Sequence, residues 1–164
     1  MPDAPDSTPG AATAPETVPA PPSVAARILP AAVRRAAAWI ATGLWAGVIF
    51  RFSALPGSQI PGRFGELGHL GEYAIFGGLL YLALRVDLDR GQALAIAIIV
   101  ASAYGISDEF HQYFVVMRTP DVTDWGLDTL GAACGALAVA AAAALLSRCL
   151  SGPQRSGRRR AVAP

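Results

Sequence analysis

Lysine is absent from the 164 residues: all 13 basic side chains are arginine, set against 12 acidic ones, so the formal net charge is only +1. A total that near neutral excludes any argument from overall charge for nucleic acid or another polyanion as partner. Charge of either sign is scarce, at 15%, whereas 53% of the chain is hydrophobic and its mean hydropathy is positive. A soluble domain of this length needs far more polar surface to cover itself, and the composition points to an integral membrane protein. Cysteine is rare too. Cys134 and Cys149 lie fifteen apart along one helical run, too far to bond, and are expected to be free thiols packing as small apolar groups. The first 30 residues lack a basic segment followed by an apolar core; they are Pro, Ala, Ser and Thr with Asp3, Asp6 and Glu16 among them. Such a stretch cannot bury enough surface to offset chain entropy, so residues 1–30 are expected to be a disordered cytoplasmic tail rather than a signal peptide.

What the chain does contain is four apolar runs: about Ala31 to Phe50, His69 to Leu84, Gln92 to Phe110 and Trp125 to Leu146. About 20 helical residues cross the hydrocarbon core, and a somewhat shorter run is accommodated by thinning the bilayer or by reaching its interface. The expected fold is all-α, a polytopic four-helix membrane bundle over residues 31–147, followed by a basic cytoplasmic tail at 148–164. With both termini cytoplasmic, ten arginines fall inside, and only Arg51, Arg63 and Arg118 fall outside. That asymmetry satisfies the positive-inside rule. Arg158, Arg159 and Arg160 then act as a topology and anionic-lipid signal, with no nucleic-acid partner implied.

This topology gathers the membrane-depth polar residues at one end. Arg51 and Ser53 close the first helix, His69 and Glu72 open the second, Asp108, Glu109, His111 and Gln112 close the third, and Asp124 and Asp128 open the fourth. Residues three or four apart share a helix face. His69, Glu72 and Tyr73 form one such stripe, and Asp108, His111 and Gln112 another. Asp124 and Asp128 form a third, which Gly131 and Gly135 continue as a Gly-x-x-x-Gly pattern that admits a neighbouring backbone. The stripes are expected to meet in a polar pocket beneath the outer surface, because ionisable groups at membrane depth ordinarily face a bundle interior. Trp125 and Tyr113 fall where interfacial aromatics anchor.

At these residues the chain resembles the VanZ-like family of small bacterial membrane proteins. The elements that carry the resemblance are Arg51-x-Ser53-x-x-Pro56, His69-x-x-x-Tyr73, Asp108-Glu109-x-x-Gln112, and Arg118 spaced to Asp124, Gly131 and Gly135. They cover about residues 36 to 146. The resemblance implies a four-helix domain in a bacterial plasma membrane and a connection with resistance to the glycopeptide teicoplanin, without a settled biochemical activity. Two positions depart from the family's pattern: Glu66 replaces a frequent lysine, and Asp128 a frequent asparagine.

So many carboxylates in a low-dielectric layer must be paired, protonated or neutralised by a cation. Three classes of function remain open beside a proton or ion pathway, which is disfavoured because the inner half of the helices offers no polar relay apart from singletons such as Ser102 and Thr42. In the first, the pocket binds an envelope ligand, a lipid headgroup or a cell-wall-related molecule. Arg51 and Arg118 grip its anion, Gln112 and Tyr73 add neutral hydrogen bonds, and Ser53, His69, Asp108, Glu109, Asp124 and Asp128 complete the site. In the second, the pocket is catalytic, with Asp108 or Glu109 as base and His69 or His111 as proton partner. A metal held by His69, Glu72, Asp108 and His111 is a variant of that reading, but no His-Glu-x-x-His signature is present and no metal or other cofactor is assigned. In the third, the polar layer only fixes the helices and the protein acts through a partner.

Overall fold

The computed structural model describes residues 30–60 and 64–151. The expected tail at 1–30, all but its last residue, and most of the segment at 148–164 lie outside them. Four helices run in order: α1 over Ala31–Ser53, α2 over Phe64–Leu84, α3 over Arg90–Gln112 and α4 over Val122–Ser151. Each is long and apolar enough to cross a bilayer, and no strand occurs among the described residues. The lipid-facing surface follows from the same side chains: Ile40, Leu44, Ile99, Leu130, Leu145 and Leu146 are exposed. In water that much open apolar surface would aggregate; in hydrocarbon it has no cost.

All four helices begin at or before the point that hydrophobicity alone marks, and all but α2, which ends at Leu84 as expected, run beyond it. The starts of α2, α3 and α4 are polar. Asp89 caps α3 by accepting the Gln92 amide at 2.9 Å. Asp121 caps α4 by accepting the Thr123 amide at 2.7 Å, which holds its carboxyl below the usual carboxylate range; both are ordinary N-cap arrangements. Helix α2 starts at Phe64, five residues before His69, with Glu66 in its first turn where the helix dipole favours an anion. With 30 residues, α4 is about 45 Å long at 1.5 Å per residue, more than the hydrocarbon thickness.

Packing is tightest between α2 and α4, through small residues. A Cβ on Gly131 would meet the Leu70 carbonyl oxygen, one on Gly135 the Ala74 carbonyl oxygen, and one on Gly77 the backbone of Ala132. The Gly131/Gly135 pattern therefore admits α2, and Gly77 reciprocates, so the two backbones are nearly in contact. This is how membrane helices associate when hydrophobic transfer offers no drive. Helix α3 buries Ala93, Ala97, Ala101 and Gly105, four apart on one face, and then Asp108, Glu109 and Gln112. Helix α1 packs on α2 and α3 but not on α4, held by two long-range bonds. The Trp45 indole donates to the Glu72 carbonyl at 2.9 Å, and the Tyr104 hydroxyl to the Ala46 carbonyl at 2.8 Å.

At one end of the bundle, Arg35 donates from Nε to Asp87 Oδ2 at 2.8 Å, tying α1 to the α2–α3 connection and holding the Asp87 carboxyl below its usual range. At the other end, the α1–α2 and α3–α4 connections are joined to each other. The Gly57 amide donates to the Val116 carbonyl at 3.1 Å. A Cβ at Gly57 would collide with the Met117 carbonyl oxygen, and Met117 itself has φ 59°. Cys134 and Cys149 are free and exposed.

Candidate functional site

Under the joined connections lies a cavity of about 270 Å³. Each element reaches it for a local reason. The capped end of α1 brings Ser53, and the turn over Gly57–Gln59 brings Gln59. The first turns of α2 bring His69 and Glu72, past the small Gly65 and Gly68. The last turns of α3 bring Asp108 and Gln112, and the α3–α4 connection folds Arg118 back over them; Phe52, Leu55 and Ile60 supply an apolar wall. Gln112 Nε2 donates to Asp108 Oδ2 at 3.2 Å, one helical turn away.

Behind this cavity, His69 joins three carboxylates. Its Nδ1 lies 2.9 Å from Asp128 Oδ1, within hydrogen-bond distance. Nε2 lies 3.7 Å from Asp124 Oδ2. Glu109 Oε2 accepts the Asp121 amide at 2.7 Å, fastening α3 to the cap of α4. Asp128 is wholly buried, and His69, Asp108, Glu109 and Gln112 are each less than a tenth exposed. Several of their polar atoms have no partner: Glu109 Oε1, Gln112 Oε1, Asp128 Oδ2 and, among their neighbours, Tyr73 Oη and Arg118 Nε. Buried groups in native proteins are ordinarily satisfied, and a concentration of orphans at one place calls for a ligand, an ion or water.

The expected stripes thus converge, though not into one layer of equivalent residues. Ser53, His69, Asp108, Gln112 and Arg118 face the cavity. Glu109, Asp124 and Asp128 sit behind it around His69. Tyr73 is fully buried in an aromatic cluster, its ring 6.1 Å from Phe76 and 6.4 Å from Tyr104. Arg51 is exposed and does not line the cavity. His111 stacks on Phe50 at 4.4 Å, away from the cavity lining. The metal-ligand set His69, Glu72, Asp108 and His111 is not the one that converges: among the described residues the converging group is His69, Glu109 and Asp128. Glu66 and Asp121 are exposed. Trp125 is not a free interfacial anchor, for its indole N–H points into the bundle at the Ser102 carbonyl and hydroxyl, 3.2 and 3.1 Å away.

The family model described as VanZ/LLP1 matches residues 28–144, well over half the chain. The chain belongs to the VanZ/LLP1 family. Neither the curated proteins nor the solved structures contain a match to it. The match ends within α4, so the family region of this VanZ/LLP1 protein holds both the cavity and the His69 cluster.

Several residues that shape the VanZ/LLP1 site escape a reading by hydrophobic runs. Gln59, Gly65 and Gly68 lie between the apolar segments, and only the Gly65-x-x-Gly68 spacing just before His69 hints at a close-packed helix start. Gly105 is another. A Cβ there would lie 3.0 Å from Asp128 Oδ2, so its absence is what lets a buried carboxylate fit between α3 and α4. Ser102 and Thr129 share a hydrogen bond at 2.8 Å and form, with Trp125, a polar junction between those helices where sequence shows only isolated hydroxyls.

Proposed function

We propose that this multi-pass membrane protein binds a polar envelope ligand, a lipid headgroup or cell-wall-related molecule, in the cavity at the extracytoplasmic end of the bundle. The observation that carries this is the cavity itself, walled by a cation, carboxylates, an amide and a hydroxyl on one side and by Phe52, Leu55 and Ile60 on the other. Its volume of about 270 Å³ is on the scale of a headgroup rather than of an entire glycopeptide antibiotic. Arg118 offers a planar fork for phosphate or carboxylate. Asp108 and Glu72 accept from hydroxyl or amine groups, Gln112 bonds to either, and the apolar wall suits the start of an acyl or prenyl chain. Any connection with glycopeptide susceptibility then runs through the bound molecule rather than through the antibiotic.

The orientation rests on arginine. Among the described residues, Arg34, Arg35, Arg85, Arg90 and Arg148 lie toward the end away from the cavity, and only Arg51 and Arg118 toward the cavity end; arginine-rich ends stay cytoplasmic.

The test is mass spectrometry of molecules that copurify with the intact protein, comparing wild type with Arg118→Ala, Asp108→Asn and Arg51→Ala. The expected result is one class of envelope molecule retained by wild type and Arg51→Ala and reduced at least tenfold in the two cavity variants. Equal retention in all four samples, or in none, overturns the proposal.

A further inference from the structure

We infer that His69, Glu109 and Asp128 form a binding site for one divalent transition-metal ion, with zinc the best match to their donor atoms. One ligand atom from each residue lies within 4.8 Å of the other two. In a zinc site the ligand atoms stand about 2.0–2.2 Å from the ion and therefore about 3–4.4 Å from one another. Closing the three onto a metal takes side-chain adjustments of about an ångström or less, within a cluster whose residues come from three packed helices.

The second observation is independent of that proximity. Glu109 is anchored through one oxygen, Oε2, which accepts the Asp121 amide, whereas Asp128 Oδ1 meets His69 Nδ1 at 2.9 Å, a contact that the ion would replace, since the imidazole nitrogen facing the carboxylates gives up its proton to bind a metal. Each carboxylate leaves its other oxygen buried without a donor, Glu109 Oε1 and Asp128 Oδ2, on residues 7% and 0% exposed. Two carboxylates with open lone pairs at membrane depth are costly unless protonated or met by positive charge, and a divalent ion matches their combined charge. The imidazole decides which ion. Calcium and magnesium favour all-oxygen shells, whereas one nitrogen with two carboxylate oxygens suits zinc and its neighbours. Asp124, with Oδ2 at 3.7 Å from His69 Nε2, stands close enough to orient the imidazole. His69 also lines the cavity, so the ion would lie one side chain from whatever the cavity holds. The inference does not depend on that ligand.

The test is equilibrium dialysis of the full chain against Zn²⁺, purified through a tag without histidine and reconstituted in lipid nanodiscs, with bound metal counted by inductively coupled plasma mass spectrometry. One Zn²⁺ per chain is expected for wild type and for the exposed-site control Glu66→Gln. Glu109→Gln and Asp128→Asn are each expected to weaken binding at least tenfold while keeping the helical circular dichroism of wild type. If Asp128→Asn fails to insert, Glu109→Gln and His69→Gln decide. Substoichiometric zinc in wild type, or undiminished binding in the site variants that insert, overturns the inference and leaves a proton shared among the carboxylates as their means of neutralisation.

Discussion

At the scale of single residues, the backbone over the cavity carries a conformation that its side chain does not favour. Met117 occupies the left-handed region with φ 59°, which costs an L-residue about 1–2 kcal/mol. It does so in the connection where the Gly57 amide reaches the Val116 carbonyl and the Met117 oxygen fills the space a Cβ on Gly57 would take. Glycine at 117 would remove the steric cost and give back part of it as unfolded-state entropy, about 0.5–1 kcal/mol. Met117→Gly is therefore expected to leave thermal stability in detergent unchanged or raised by up to about 1 kcal/mol. Met117→Val, with a β-branched side chain that the left-handed region tolerates worst, should lower it. A Met117→Gly variant that melts well below wild type would show that the exposed methionine side chain, not the backbone, holds the connection.

Among the elements, the pair α2 and α4 shows what sequence could and could not disclose. The spacing of Asp124, Asp128, Gly131 and Gly135 places acids and small residues on one face of α4, and that face does meet a neighbour. The four helices and the convergence of His69, Asp108, Gln112 and Arg118 were legible in the same way, because helical period and membrane cost are local properties. Which stripe meets which was not legible. That Glu109 faces the α4 cap, that Arg51 turns outward, and that Trp125 turns inward to Ser102 depend on rotations about helix axes, set only when backbones pack. The glycines make the packing claim testable. Gly135 abuts the Ala74 carbonyl, a backbone atom that cannot swing aside, so Gly135→Leu is expected to cost at least the about 1–3 kcal/mol typical of overpacking. Gly71 on α2 has nothing within 4 Å of its hypothetical Cβ, and Gly71→Ala should stabilise by up to about 1 kcal/mol from helix propensity. Thermal melts in one detergent compare the two; similar effects of the same sign would mean that the glycine seam is not the tight contact.

For the whole molecule, the charge asymmetry and the polar cavity make one joint demand. Four crossings put both ends of the bundle's chain on one side, and the arginines choose which side. The arginine-rich end is held together by Arg35 and Asp87, yet such pairing does not cancel the rule, since acidic residues contribute little to orientation. On the proposed orientation the cavity opens away from the cytoplasm, where envelope molecules are accessible and where cytoplasmic ones are not. The prediction is made on a background with the free thiols Cys134 and Cys149 replaced by alanine, so that the introduced cysteine is the one that reports. A cysteine at Gln59, on the turn that roofs the cavity, should be labelled on intact cells by a membrane-impermeant maleimide. One at Arg90, at the start of α3, should be labelled only after the membrane is broken. The reverse pattern would turn the cavity to the cytoplasm. An extracytoplasmic ligand would then be excluded, while the zinc-binding inference, which depends only on three side chains within the bundle, would stand.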